Sequence, residues 1–168
     1  MQQPNGHMDK VEDLLADWRR ERPDLDVEAM AVVGRILSLG RRLEGRANVA
    51  LKALGLHYTD LDVLATLRRG GKPYRLTPTE LRASVLITSG AMTACLDRLE
   101  GNGLITRRDN PHDRRSTSAG LTAAGVRLID KAIVARFEEA TDAVTGLTER
   151  ERTTLAALLT KMDRTLPR

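Results

Sequence analysis

Residues 76–122, LTPTELRASVLITSGAMTACLDRLEGNGLITRRDNPHDRRSTSAGLT, constrain the fold more than any other part of the chain. Thr77 precedes Pro78, and Glu80 follows three residues after the threonine. This is a capping box, in which a hydroxyl accepts an orphan N–H, a carboxylate reaches back, and proline sits where its missing N–H costs nothing. It predicts a very short helix, about Pro78 to Ala83. Leu86 to Thr88 turns the chain. A second helix is expected from about Ser89 to Glu100, with Met92, Leu96 and Leu99 inward and a stop at Gly101-Asn102-Gly103. Two short helices joined by a tight turn, the second opened by small hydroxylated residues, make a helix-turn-helix. Residues 104–122 then read as a two-stranded β-hairpin. Asn110-Pro111 is the turn, and Leu104, Ile105 and Leu121 anchor both ends to the core. A hairpin in that place is a wing.

The flanks are helical. Val11, Leu14, Leu15 and Trp18 fall at helical spacing between Asp9 and about Arg20, and Arg22-Pro23 ends that stretch. A longer helix, capped by Asp24 or Asp26, carries Met30, Val33, Leu37, Ala47, Leu51 and Leu54 up to Gly55. Thr59 is the expected cap of a third, containing Leu61, Val63, Leu64 and Leu67 and stopped by Gly70-Gly71 and Pro73. Beyond the hairpin, Val126, Ile129, Ile133, Phe137, Ala140 and Val144 mark a long helix. Thr148 and Glu151 form another capping box, opening a last helix with Leu155, Leu158, Leu159, Met162 and Leu166. The domain plan is a disordered head over 1–8, N-terminal helices over 9–54, a DNA-binding lobe over 55–122 and C-terminal helices over 123–168. Aromatics are only 2% of the 168 residues, so an aliphatic core must fill the interior, which favours helices.

The stretch RRDNPHDRR (107–115) crowds arginine onto a hairpin tip, where it must meet solvent or an anion. The formal net charge is only +4, so the local cluster, not the total, argues for a polyanion. Beside a helix that opens with Ser89, Gly90, Ala91 and Thr93, small enough to enter a major groove, that polyanion is double-stranded DNA. Arginine at the wing tip suits a narrow, negative minor groove. The candidate DNA-binding residues are Thr79, Ser89, Thr93, Arg98, Arg114 and Arg115.

The segment resembles the MarR family of winged helix-turn-helix regulators, with the Asp-x-Arg of the wing at Asp113 and Arg115 and the closing Leu-Thr at Leu121-Thr122. The resemblance covers nearly the whole chain. It implies a mostly α (α+β) winged helix-turn-helix whose long terminal helices interlock two subunits into an intertwined homodimer. Arg115 would enter the minor groove, and Ser89, Thr93 and Arg98 would meet the major groove or its phosphates. The wing departs from the pattern at Ser116–Gly120, where β-branched residues are more usual, and a loose returning strand is expected there. The added first helix, VEDLLADWRRERPDLD, is similar to the PecS-like branch that responds to urate and related anionic ligands. That branch has a Trp on the first helix, an Asp in the third, an Arg in the recognition helix and an Arg where the wing begins. Trp18, Asp62 and Arg107 match, whereas Cys95 stands in place of the recognition-helix arginine. The resemblance therefore implies a ligand pocket of Trp18, Asp62, Cys95 and Arg107, less cationic than the branch pattern and suited to a larger or singly charged aromatic anion.

Enzymatic chemistry finds no support. His7, His57 and His112 are scattered over head, loop and wing, with no nucleophile or metal-ligand spacing around them, so neither a cofactor nor a metal is implied. The lone Cys95 excludes an intrachain disulfide and fits a reducing compartment. No apolar run is long enough for a membrane span, which points to a cytoplasmic protein. The function expected is a ligand-responsive repressor released from its operator by a small anionic or aromatic effector. Two alternatives stand beside it: a thiol or peroxide sensor acting through Cys95, and an architectural DNA-binding protein without an effector.

Overall fold

The computed structural model describes residues 9–85, 89–110 and 113–167, except for the side chains of Pro78, Ser89, Asp109, Asn110 and residues 113–116. The described elements are α1 (Lys10–Glu21), α2 (Glu28–Lys52), α3 (Tyr58–Arg69), β1 (Arg75–Leu76), α4 (Pro78–Ser84), α5 (Ser89–Gly101), β2 (Ile105–Asn110), β3 (Asp113–Leu121), α6 (Ala123–Ala143) and α7 (Glu149–Asp163). They fall into two compact units, divided between Gly45 and Arg46 within α2.

In the first unit Asp9 caps α1, its Oδ1 accepting the N–H groups of Val11 and Glu12 at 3.1 and 3.4 Å. Leu15 is buried. A Cβ at Gly34 would stand 3.0 Å from a methyl of Val11, so the glycine lets the two helices approach closely. Arg35 closes the contact by bonding Asp9 and Glu12.

The second unit is built on a leucine core. Leu51, Leu64, Leu67, Leu81, Leu99, Ile105 and Ile129 are fully buried, and among the described residues no aromatic is buried. Each such side chain contributes about 1.5–3 kcal/mol. The capping boxes at Thr77 and Thr148 are both formed, their hydroxyls accepting the N–H groups of Glu80 and Glu151. The start of α3 differs from the sequence expectation. The helix begins at Tyr58 with His57 as N-cap, two residues ahead of the Thr59 cap. The reason is side-chain supply: Asp60 Oδ2 accepts the His57 N–H at 3.0 Å, and Asn48 Oδ1 accepts that of Tyr58 at 2.8 Å.

The wing is part of a three-stranded antiparallel sheet in the order β1-β3-β2, with Arg75 opposite Gly120 and Ile105 opposite Leu121. The strand β1 has no counterpart in the sequence reading. The returning strand expected to be loose is instead the central one, paired on both edges over its last residues. Its small side chains suit a neighbour lying across it. Arg75 bonds the Ser118 carbonyl and hydroxyl, both at 3.3 Å, and a Cβ at Gly120 would stand 2.7 Å from its guanidinium. Thr122 then caps α6 and donates its hydroxyl to the Gly103 carbonyl at 2.8 Å, so strand end and helix start are locked together. Among the described residues no helix is long and apolar enough to cross a membrane.

Candidate DNA-binding surface

Recognition surfaces need an element held from behind and open in front. Met92, Cys95, Leu96 and Leu99 bury one side of α5 against the core, while Gly90, Ala91, Thr93, Ala94 and Asp97 face out. This outer face is narrow and carries almost no bulk, which suits insertion into a major groove. Thr79 is exposed in the first turn of α4, and Arg82 and Arg108 are exposed on the flanking helix and strand. Arg114 and Arg115 lie in β3, and Asn110 pairs with Asp113 beyond a register break after Asp109. The side chains of Ser89, Arg114 and Arg115, and the turn residues Pro111 and His112, fall outside the described set.

Arg98 is held inward. Its Nη2 donates to Asp60 Oδ1 at 2.5 Å, and its Nε lies 3.1 and 3.3 Å from the two oxygens. Asp60 is only 2% exposed. Cys95, one turn earlier on the same helix, donates its S–H to Asp60 Oδ1 at 3.3 Å and lies 3.5 Å from the Thr59 carbonyl. Burial, helped by the Asp60 carboxylate and by the charge of Asp62, pushes the Cys95 thiol up to about 12. Such a thiol stays protonated at neutral pH and is a poor nucleophile.

Arg107, at the base of the wing, is strapped to α5. Its Nη2 donates to Asp97 Oδ1 at 2.5 Å, its backbone N–H to Glu100 Oε1 at 3.0 Å, and its Nε sits 3.4 Å from Glu100 Oε2. Of the residues expected to line a ligand pocket, Asp62, Cys95 and Arg107 thus belong to the second unit. Trp18 belongs to the first, on α1, 49% exposed. Among the described residues no cluster of His, Cys, Asp and Glu could hold a metal ion. Sequence reasoning missed Asp60 and Arg75. The first is visible as a residue three after a cap only once the cap is placed at His57, and the second gains its meaning from a two-residue strand too short to show periodicity.

A capped short helix, a narrow-faced second helix and a basic hairpin braced on a three-stranded sheet define a winged helix-turn-helix protein. The comparisons with known proteins agree. A model of the MarR family matches residues 54–116. The HTH-type transcriptional regulator PecS of Dickeya dadantii is 35% identical over 157 residues, covering 94% of this chain and 95% of that protein. Sco3205, a MarR family transcriptional regulator from Streptomyces coelicolor solved in complex with DNA, is 25% identical with a TM-score of 0.76, covering 86% of this chain and 94% of that one. A mutant MarR from E. coli complexed with operator DNA is 26% identical with a TM-score of 0.72, covering 84% and 98%. The chain belongs to the MarR family of DNA-binding transcriptional regulators.

Proposed function

We propose that the protein is a repressor that binds a pseudo-palindromic operator as a homodimer and is released by a small anionic or aromatic ligand. The observation that carries the DNA-binding half is the outward face of α5, Gly90 to Asp97, free of bulk and flanked by the basic wing. In this reading Ser89 and Thr93 meet base edges or phosphates in the major groove, Thr79 steadies the backbone contact, and Arg114 and Arg115 reach the minor groove. Two recognition helices would sit about 34–36 Å apart, one turn of DNA.

The ligand half is carried by Arg107. An anion that draws this guanidinium away from Asp97 and Glu100 unstraps the wing base from α5. The two states then differ in their affinity for the ligand, as a ligand switch requires. Asp62 would shape the rest of the site, with Cys95 buried and its S–H held by Asp60. With Cys95 in place of a second cation, a singly charged aromatic anion fits better than urate.

Selection from random duplexes tests the reading. The recovered sequences should contain an inverted repeat, Arg115→Ala should weaken binding to it, and salicylate should release the wild type but not Arg107→Ala. Recovery of unrelated sequences with no common symmetry would overturn the operator claim. Equal release of Arg107→Ala would overturn the switch.

A further inference from the structure

Asp60 is a carboxylate with almost no access to water, and its partners come from two directions. Oδ2 accepts the His57 N–H at the start of its own helix, and Oδ1 accepts Arg98 and Cys95 from α5. Positions 95 and 98 lie three apart, so the carboxylate grips two successive turns of one side of α5. Around these hydrogen bonds, and that of the Cys95 thiol to the Thr59 carbonyl, the buried side chains of α3 and α5 are largely aliphatic. Leucine packing fixes how far apart two helices lie more firmly than it fixes rotation about the axis, because apolar contacts are non-directional. The hydrogen bonds to Asp60 are directional, the shortest being that from Arg98 Nη2 to Oδ1 at 2.5 Å. Replacing a buried ion pair by apolar residues is often neutral or stabilising, so stability alone does not account for one here. Arg98 itself is 39% exposed along its side chain, yet its Nε and Nη2 both point inward to the carboxylate.

We infer that Asp60 is a positioning residue that sets the rotation of α5 about its axis and so aims the outward face of that helix, with Thr93 on it, at DNA. Arg98 acts through Asp60 and not on the phosphates. Cys95 serves as a second, weaker donor to the same carboxylate. The inference rests on the reading of α5 as the recognition helix.

The test compares wild type, Arg98→Lys, Arg98→Gln and Asp60→Asn as full-length proteins on the operator and on an unrelated duplex, over a range of salt. Lysine is a good point-charge partner for a phosphate but cannot reproduce the two-nitrogen grip on a carboxylate. Arg98→Lys should therefore lower the ratio of operator to unrelated binding about tenfold, with an unchanged slope of log K against log salt. Asp60→Asn should do the same. If it fails to fold, Arg98→Lys still decides, because it leaves the buried carboxylate with a cation. Wild-type discrimination in Arg98→Lys would overturn the inference. So would a salt slope reduced by about one unit in Arg98→Gln with discrimination intact, the signature of a lost phosphate contact. A wild type that binds both duplexes alike would sink the operator reading instead, a distinguishable failure.

Discussion

A thiol at 1% exposure, hydrogen-bonded to a carboxylate, has its proton held in place from two sides. Cys95 therefore differs from a sensor cysteine, which needs exposure and a cation to stabilise its thiolate. Arg98 is the nearby cation and does pull the thiol down, but its charge is already spent on Asp60, and burial outweighs it. The shift has a consequence for stability. The unfolded chain ionises this thiol near its ordinary value of 9.0, whereas the folded one holds the proton to about 12. Below pH 9 both states are protonated and the contribution is fully present. Above it the unfolded state sheds the proton and the native state does not, so folding loses about 1.4 kcal/mol per pH unit until the folded thiol also titrates. Serine keeps a donor for Asp60 and does not titrate there. Denaturant melts at pH 8 and pH 10.5 should show a smaller alkaline loss for Cys95→Ser than for wild type. Equal losses would mean that the thiol is not raised.

The elements differ in how tightly their joints are closed. At the start of α6, a Cβ on Gly125 would stand 2.0 Å from the carbonyl oxygen of Leu104, backbone against backbone, with no flexible side chain to give way. Gly125→Ala should therefore cost about 3 kcal/mol, against the usual benefit of alanine in a helix. Gly40 in α2 has nothing within 4 Å of its Cβ position, and Gly40→Ala should be neutral or stabilising by about 0.5–1 kcal/mol. Thermal melts of the two variants in opposite directions would bear this out; equal shifts would not. The same contrast explains what the sequence could reveal. The capping boxes at Thr77 and Thr148 are local, three residues from end to end, and were legible. So was the inward face of α5, because Met92, Leu96 and Leu99 repeat at helical spacing. The pairings of Arg98 with Asp60 and of Arg75 with Ser118 join residues far apart in the chain, and no periodicity encodes them. The small residues of β3 looked like weakness because the arginine that covers them is on another strand. For Arg98, its position on α5 suggested DNA, and nothing local in the sequence announced the Asp60 carboxylate that its guanidinium also bonds.

At the scale of the whole molecule, the homodimer proposed above can be tested on the apolar surface that α6 and α7 leave uncovered. The fifteen-residue helix α7 buries none of its residues, and Leu158 on it is 59% exposed with Leu155 and Leu159 beside it. On α6, Ile133, Val134, Phe137 and Thr141 line an open groove, Phe137 being 68% exposed. A helix of this length is marginal in water without tertiary packing, and exposed leucines at three- and four-residue spacing need a partner. The proposed homodimer would supply one by covering α6 and α7, and it would also join two recognition helices for two half-sites. Leu158→Glu places a charge in the middle of that face without touching the buried core of the second unit. Light scattering should then report a monomer where wild type is a dimer. Operator affinity should fall by about 10²-fold or more, because the second half-site is no longer tethered to the first, while binding to a single half-site changes little. A Leu158→Glu protein that remains dimeric would put the subunit contact on another face.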